Sequence, residues 1–418
     1  MAEGVFLLSP LITNNFDKKV LNKFLAERRL HSEYVRSGLQ HNIFIQNCIN
    51  EGRIKQQDFA DFLFKELLYG NQRRIFMYEI FSINKEVEDQ TEIFKIIQKY
   101  YPNVDSLYYN EILFQPYDDR VTDLVGIKVV LKANSTKIEK IVLVFSEKCI
   151  VNTYQGRRGE YSYITIEMDI TKKLLYVKVR PKSRISDEKQ KTGALAKKYF
   201  DKVRVMFGFT INEYLNIHKN SLCNMNVDLY DQIYKRMVQI QPENIDEFIK
   251  STSEKIKQKL DISNYEIKVA ENNIFNIHDT LQKMMEHVLI SNILYDSTGD
   301  GNLDGVDGFV TYIKFSDGTN ISARLRSEEY IEPIFASEAF MALRSSIENT
   351  KQISILKIYW LNSFNGLRVS YDATDSQCLE ILLYKHHKRR EFEYAISKYR
   401  ECEKYTKQQI TGLLPMEA

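Results

Sequence analysis

Apolar side chains recur at three- and four-residue intervals through the first hundred positions. Val20, Leu21, Phe24 and Leu25 form one such set, and Ile43, Ile45, Cys48 and Ile49 a second. Phe59, Phe62, Leu63, Leu67 and Leu68 form a third. This is the period of amphipathic helices. Gly38, Gly52 and Gly70 fall where those helices should stop, and Asp58 and Asp61 sit early in the third, where negative charge suits the dipole. Residues 17 to about 100 therefore read as helices throughout, the last running from Gln90 to Tyr100 and ending at Pro102.

From about residue 106 the period shortens to two. Ile127, Val129 and Leu131 alternate with Lys128, Val130 and Lys132, and Ile141–Phe145 is a short apolar run. Tyr161–Asp169 and Leu174–Val179 flank Thr171-Lys172-Lys173 as the arms of a hairpin. Helical spacing returns over 186–207, and residues 225–295 are again helical. After a Gly/Asp loop at 296–308, strands are expected at Phe309–Phe315, Ile321–Leu325, Ile353–Leu361, Leu367–Tyr371 and Leu379–Leu383. Helices are expected at 336–348 and 389–403, and Asp317-Gly318 and Asn365-Gly366 are hairpin dipeptides. The fold class expected is α+β: a helical domain (1–105), a basic β-rich domain closed by a helix (106–215) and a helical connector (216–300). A C-terminal α+β domain with an antiparallel sheet (301–405) and a tail (406–418) complete it.

Composition adds little to that picture. The chain of 418 residues is 44% hydrophobic and 27% charged, as folded proteins are. Only 16 Gly and 7 Pro leave little material for long linkers. Five scattered cysteines, odd in number and never in Cys-x-x-Cys, suit a reducing compartment. Neither a basic, apolar leader nor a membrane-length apolar run is visible, so the expectation is cytoplasmic, with no membrane partner.

Charge changes the picture through its distribution. Residues 171–204 hold twelve Lys and Arg against three carboxylates, a net of +9 in a chain whose total is +2. Such asymmetry is the footprint of a phosphate-backbone binder. Lys178, Arg180, Lys182 and Arg184 share one strand parity with Tyr176, whose ring suits stacking on a base. Lys172 and Lys173 lie in the preceding turn, Arg157 and Arg158 on an upstream turn, and Lys198 and Lys202 on a basic helical stripe with Lys191. These residues are the expected nucleic-acid contacts, DNA being the expected ligand.

Two acidic features bear on metals. Asp296, Thr298, Asp300, Asp304 and Asp307 fall at ligand positions of a calcium loop, with Gly301 at the turn. The last position is Asp rather than bidentate Glu, and a strand follows, so a solvated interdomain loop is the competing reading. Asp118, Asp119 and Asp123, or Glu167 and Asp169 with Lys178, would serve a metal-dependent nuclease if they converged. Phosphate-cradling loops, His-Glu-x-x-His and Gly-x-Ser-x-Gly are missing from the sequence. His386-His387, between Lys385 and Arg390, reads as part of a basic surface.

Ile45-x-x-Cys48, Glu51, Ile54, Asp61, Tyr69, Gln72 and Ile75-Phe76, followed by a β-rich basic region, resemble the helical, pyrin-like head of the CENP-N family of kinetochore proteins. The resemblance is confined to Leu21–Ile80 and carries no functional residue across. It implies DNA or nucleosome binding without catalysis. The expected function is thus a non-catalytic nucleic-acid-binding protein. The Lys-, Ile- and Asn-rich composition fits an AT-rich, bacterial genome. Two alternatives stand beside that expectation. One is an adaptor subunit of a bacterial multi-protein system such as phage defence, docking on an acidic protein partner; the other is a divergent metal nuclease.

Overall fold

The computed structural model describes residues 5–114, 123–154, 156–182, 184–213, 216–240, 244–260, 277–300, 305–316, 322–328, 332–361 and 366–410. The N-terminal periodicity yields five helices: α1 (Pro10–Thr13), α2 (Lys18–Glu27), α3 (His31–Ser37), α4 (His41–Asn50) and α5 (Gln56–Leu68). Local chemistry starts them. Ser9 Oγ accepts the Leu11 N–H at 3.2 Å, and Asp17 Oδ1 accepts that of Lys19 at 2.8 Å.

The next element corrects the helical reading of the first hundred residues. Arg74–Ser82 is a strand, β1, with an aromatic- and Ile-rich sequence buried on both faces, so no alternation marks it. After α6 (Gln90–Tyr100) come β2 (Tyr108–Asn110), β3 (Leu124–Leu131), β4 (Ile138–Thr153), β5 (Gly156–Asp169) and β6 (Leu174–Val179). Helix α7 (Thr192–Phe207), ended by Gly208 at φ 60°, and β7 (Thr210–Ile211) follow.

The remaining chain gives α8 (Ile217–Ile240), α9 (Ile245–Lys259), α10 (Ile277–Asp300), β8 (Gly308–Ser316) and β9 (Ser322–Arg326). Then come α11 (Glu338–Thr350), β10 (Ile353–Trp360), β11 (Leu367–Asp372), β12 (Leu379–Leu383) and α12 (Arg389–Ile410). The fold is α+β and multi-domain, as expected, and the strands pair antiparallel.

Two compact units divide the chain. Unit 1 comprises residues 1–213 with 377–392, and unit 2 residues 214–376 with 393–418. Residues 1–105 and 106–213 thus share one unit, because β1 is an interior strand of the same sheet as β2–β6. The strand order in unit 1 is β2-β3-β4-β5-β6-β1-β12, and β7 pairs with the end of β1. Strand β12, expected in a C-terminal sheet, lies instead against β1, with Arg74 opposite Leu382 and Met77 opposite Leu379.

The sheet of unit 1 is covered on both sides. On one face Ile127, Leu143, Ile166 and Val177 pack with Ile93 and Ile97 of α6 and Leu195, Tyr199 and Val203 of α7. On the other, Val125, Val142, Val144 and Tyr163 pack with Leu21, Phe24, Phe59 and Leu63 of the N-terminal helices. In unit 2 the sheet order is β11-β10-β8-β9, with α8 against β8 and β10. Among the described residues no helix is long and apolar enough to cross a membrane.

Candidate nucleic-acid interface

The shared parity of Tyr176, Lys178 and Arg180 is real, but the face they occupy is not at the surface. Every side chain of β6 is buried. Lys178 is 0% exposed; its Nζ lies 2.6 Å from Glu167 Oε2 and donates to the Leu68 carbonyl at 3.2 Å. The ammonium also stands 4.0 Å from the Phe392 ring centre and 4.5 Å from that of Tyr69. Burial alone would push the Glu167 carboxyl up; Lys178, by charge and hydrogen bond, and then Lys140 outweigh it and hold that carboxyl below its ordinary range. Tyr176 is buried edge-on to Phe392. The sequence reading of Tyr176 and Lys178 as surface contacts is therefore corrected: Tyr69, just past α5, and Phe392, from the returning 377–392 segment, cover that part of the sheet.

Other members of the basic segment are paired within the unit. Arg180 Nη1 donates to the Asn15 carbonyl, and Lys182 bonds Glu160 at 3.0 Å and the Tyr161 carbonyl at 2.5 Å. On α7, Lys198 meets Glu147 at 2.6 Å and Lys202 meets Asp123 at 2.5 Å; Lys191 pairs with Glu188. Lys172 and Lys173 are exposed at the β5–β6 turn. Arg157 stands twelve residues before Asp169 on β5, so about 40 Å of strand separates it from that turn. The segment does not make one basic face.

One part of it does project. The β3 ladder ends at Leu124 opposite Phe145, and that of β6 at Val179 opposite Ile164. Strands β4 and β5 continue past those ladders, from Ser146 opposite Tyr163 to Thr153 opposite Gly156, as a ribbon about 24 Å long. The chain after β6 crosses to the outer edge of β4, where Asn152 N–H donates to the Arg184 carbonyl at 2.9 Å and Val151 bridges Ile185. Gln190 seals the same edge by donating to the Lys148 carbonyl at 3.1 Å.

Arg184 is thereby brought onto the ribbon. Its guanidinium lies 4.2 Å from the Tyr154 ring centre and donates to the hydroxyl at 2.7 Å. Tyr154 is 93% exposed at the tip. Lys148 and Arg157 are exposed on the ribbon, with no carboxylate in salt-bridge reach among the described residues; Lys189 is exposed beside its sealing segment. The nearby carboxylates are occupied: Glu147 by Lys198, Glu160 by Lys182, Glu188 by Lys191, while Asp187 Oδ1 accepts the Lys189 N–H. The Arg158 backbone pairs with Val151; its side chain lies outside the described residues. Sequence reasoning missed Lys148 and Tyr154. The run Tyr-Gln-Gly followed directly by two arginines was the available signal.

The acidic features fare differently from one another. Asp296, Thr298 and Asp300 belong to the last turns of α10, a helix where the calcium reading needs a loop, and Asp304 lies outside the described residues. Asp307 Oδ2 is held by Lys398 at 2.6 Å. Asp118 and Asp119 lie outside the described residues; Asp123 pairs with Lys202 and accepts from Tyr101 at 3.3 Å. Glu167 and Asp169 do converge with lysines, Asp169 on Lys140 at 3.2 Å and Glu167 on Lys178, but the ammonium groups fill the space a metal would take. No group of three or more His, Cys, Asp and Glu side chains suited to a metal occurs among the described residues. His386 bonds Glu66 at 2.9 Å, and His387, read as surface, is 1% exposed.

The class these features define is a two-unit α+β protein with a projecting basic ribbon. Compared with known protein families, curated proteins and solved structures, the chain matches none.

Proposed function

We propose that the protein is a non-catalytic binder of duplex nucleic acid, DNA in particular, that grips phosphates with the β4–β5 ribbon. The carrying observation is the ribbon itself. Lys148 on β4, Arg157 on β5 and Arg184 on the segment bonded to the outer edge of β4 stand exposed where the two strands outrun the sheet, with Tyr154 at the tip. Exposed cations that contact phosphates release condensed counterions, which supply much of the affinity for a duplex. Arg184, held against Tyr154, presents a planar fork suited to phosphate oxygens. The five free cysteines, four of them buried, support a reducing and therefore cytoplasmic setting.

The test is fluorescence anisotropy of a labelled 30-base-pair duplex across a salt series, with and without Mg²⁺. Wild-type protein should bind with steep salt dependence and leave the probe intact. The variant Lys148→Glu/Arg157→Glu/Arg184→Glu should lose most of the affinity, and its log K against log salt should flatten by about 2.7. Unchanged binding by this folded variant would overturn the reading, and probe loss in Mg²⁺ would return the nuclease.

A further inference from the structure

The four strands β8, β9, β10 and β11 contain five cationic side chains, and all five fall on one face. Lys314 stands opposite Arg324 on β9, and Tyr312 opposite Arg326. Tyr312 also stands opposite Lys357 on β10, which stands opposite Ser370 on β11; Tyr359 faces Arg368 one pair further along. Because strand neighbours alternate sides, Lys314, Arg324, Arg326, Lys357 and Arg368 project together with both tyrosines. The other side is the hydrophobic one. Ile313, Phe315, Leu325, Leu356, Ile358, Leu367 and Val369 are buried there.

The cationic face carries a single carboxylate from these strands, Asp372, and its Oδ1 is engaged by the Thr374 hydroxyl and N–H at 2.6 and 3.0 Å. Arg324 and Arg326 are exposed, and Tyr312, Lys314, Lys357, Tyr359 and Arg368 half-buried. Tyr312, Arg326, Ser327, Lys357 and Arg368 line a depression in this face, with Glu328 also in its wall. The Lys357 ammonium sits 4.6 Å from the Tyr312 ring centre.

We infer that this face of unit 2 is a binding surface for single-stranded nucleic acid, separate from the ribbon of unit 1 and independent of the reading given to it. Cations drawn from four adjacent strands span about 14 Å, a broad field rather than one ion's pocket. Three of the five are arginines, whose forked donors match phosphate oxygens. The tyrosines choose the strand state. Base-paired nucleotides hide their faces in the stack, whereas unpaired bases offer them to an aromatic ring, and Tyr312 lies in the same cross-strand row as Arg326 and Lys357. An acidic protein surface would use the cations and make no demand on an aromatic face such as that of Tyr312.

The experiment uses the full chain and a fluorescein-labelled 20-nucleotide oligothymidylate, titrated by anisotropy at several salt concentrations. Wild-type protein should bind with a salt slope of about −3.5, from five contacts at about 0.7 each. Arg326→Ala/Lys357→Ala/Arg368→Ala should weaken binding at least tenfold and reduce the slope by about 2. Arg324→Glu/Arg326→Glu, at exposed positions of the edge strand where folding is spared, should weaken binding likewise. The ribbon variant Lys148→Glu/Arg157→Glu/Arg184→Glu should keep oligothymidylate binding while losing the duplex. Oligothymidylate binding left intact by both sheet variants, or absent from wild-type protein at low salt, would overturn the proposal. So would loss of that binding on the ribbon variant alone.

Discussion

Lys178 shows how a single side chain can be read correctly for direction and wrongly for environment. Its parity on β6 is legible from spacing, yet the field it sees comes from Glu167 eleven residues earlier and from Phe392, more than two hundred residues later. A buried ion pair broken from one side leaves an uncompensated charge. Lys178→Ala should therefore cost about 3–5 kcal/mol in urea unfolding, while Lys178→Met with Glu167→Leu should recover most of the loss. Glu167 also sets an acid limit. Its folded carboxyl titrates below the 4.5 of an ordinary glutamate, so its contribution is present above that pH and is lost as pH falls through the lower folded value. His387 acts over a different window. Burial first, then the Lys178 charge, lowers its imidazole from 6.5 to about 3, and neither ring nitrogen meets a partner in hydrogen-bonding geometry, although the Gly70 backbone close by opposes the shift. Below pH 6.5 the unfolded state takes a proton that the folded state refuses, so stability falls with pH down to about 3. Between pH 6.5 and 5 the loss should be about 2 kcal/mol, and His387→Phe should remove that slope from thermal melts recorded across the range.

At the scale of elements, the regular segments were legible and their roles were not. Strands at 309–315, 353–361, 367–371 and 379–383 and the helix closing at 207 lie within a few residues of their expected bounds, because each has one polar face or a clear terminator. Strand β1 escaped because burial on both faces erases the two-residue period, leaving an apolar run that follows helices and looks like another. The packing of helix on sheet makes its own demand. At Gly126 in β3 an added Cβ would come within 2.7 Å of the Phe64 ring of α5. Gly126→Ala should destabilise by about 1–3 kcal/mol in denaturant unfolding, and Gly126→Ala with Phe64→Leu should cost less than the sum of the separate changes.

At the scale of the whole molecule, unit 1 is not a continuous piece of chain. Its sheet needs β12, which arrives from residues 377–392 after the chain has built much of unit 2. Residues 1–213 expressed alone would leave one edge of β1 unpaired and apolar, and should aggregate; fusing residues 377–392 behind a flexible linker should restore a soluble, cooperative unfolding transition. The Arg74–Glu380 pair, at 2.6 and 2.8 Å, ties that returning strand in register. Charge follows the same logic. Twelve cations crowded into residues 171–204 suggested one basic surface, but folding sends them to a buried ion pair, a paired helix face, a distant turn and a ribbon. Five others, spread singly from Lys314 to Arg368, are gathered by strand register onto one side. Local sequence determined the α+β class, most element boundaries and the side-chain parity of the strands with a two-residue period, since these depend on residues a few positions apart. Tertiary structure alone decided which parity faces water, which strands neighbour one another and which cations meet carboxylates, since each of those depends on chain segments that sequence separation hides.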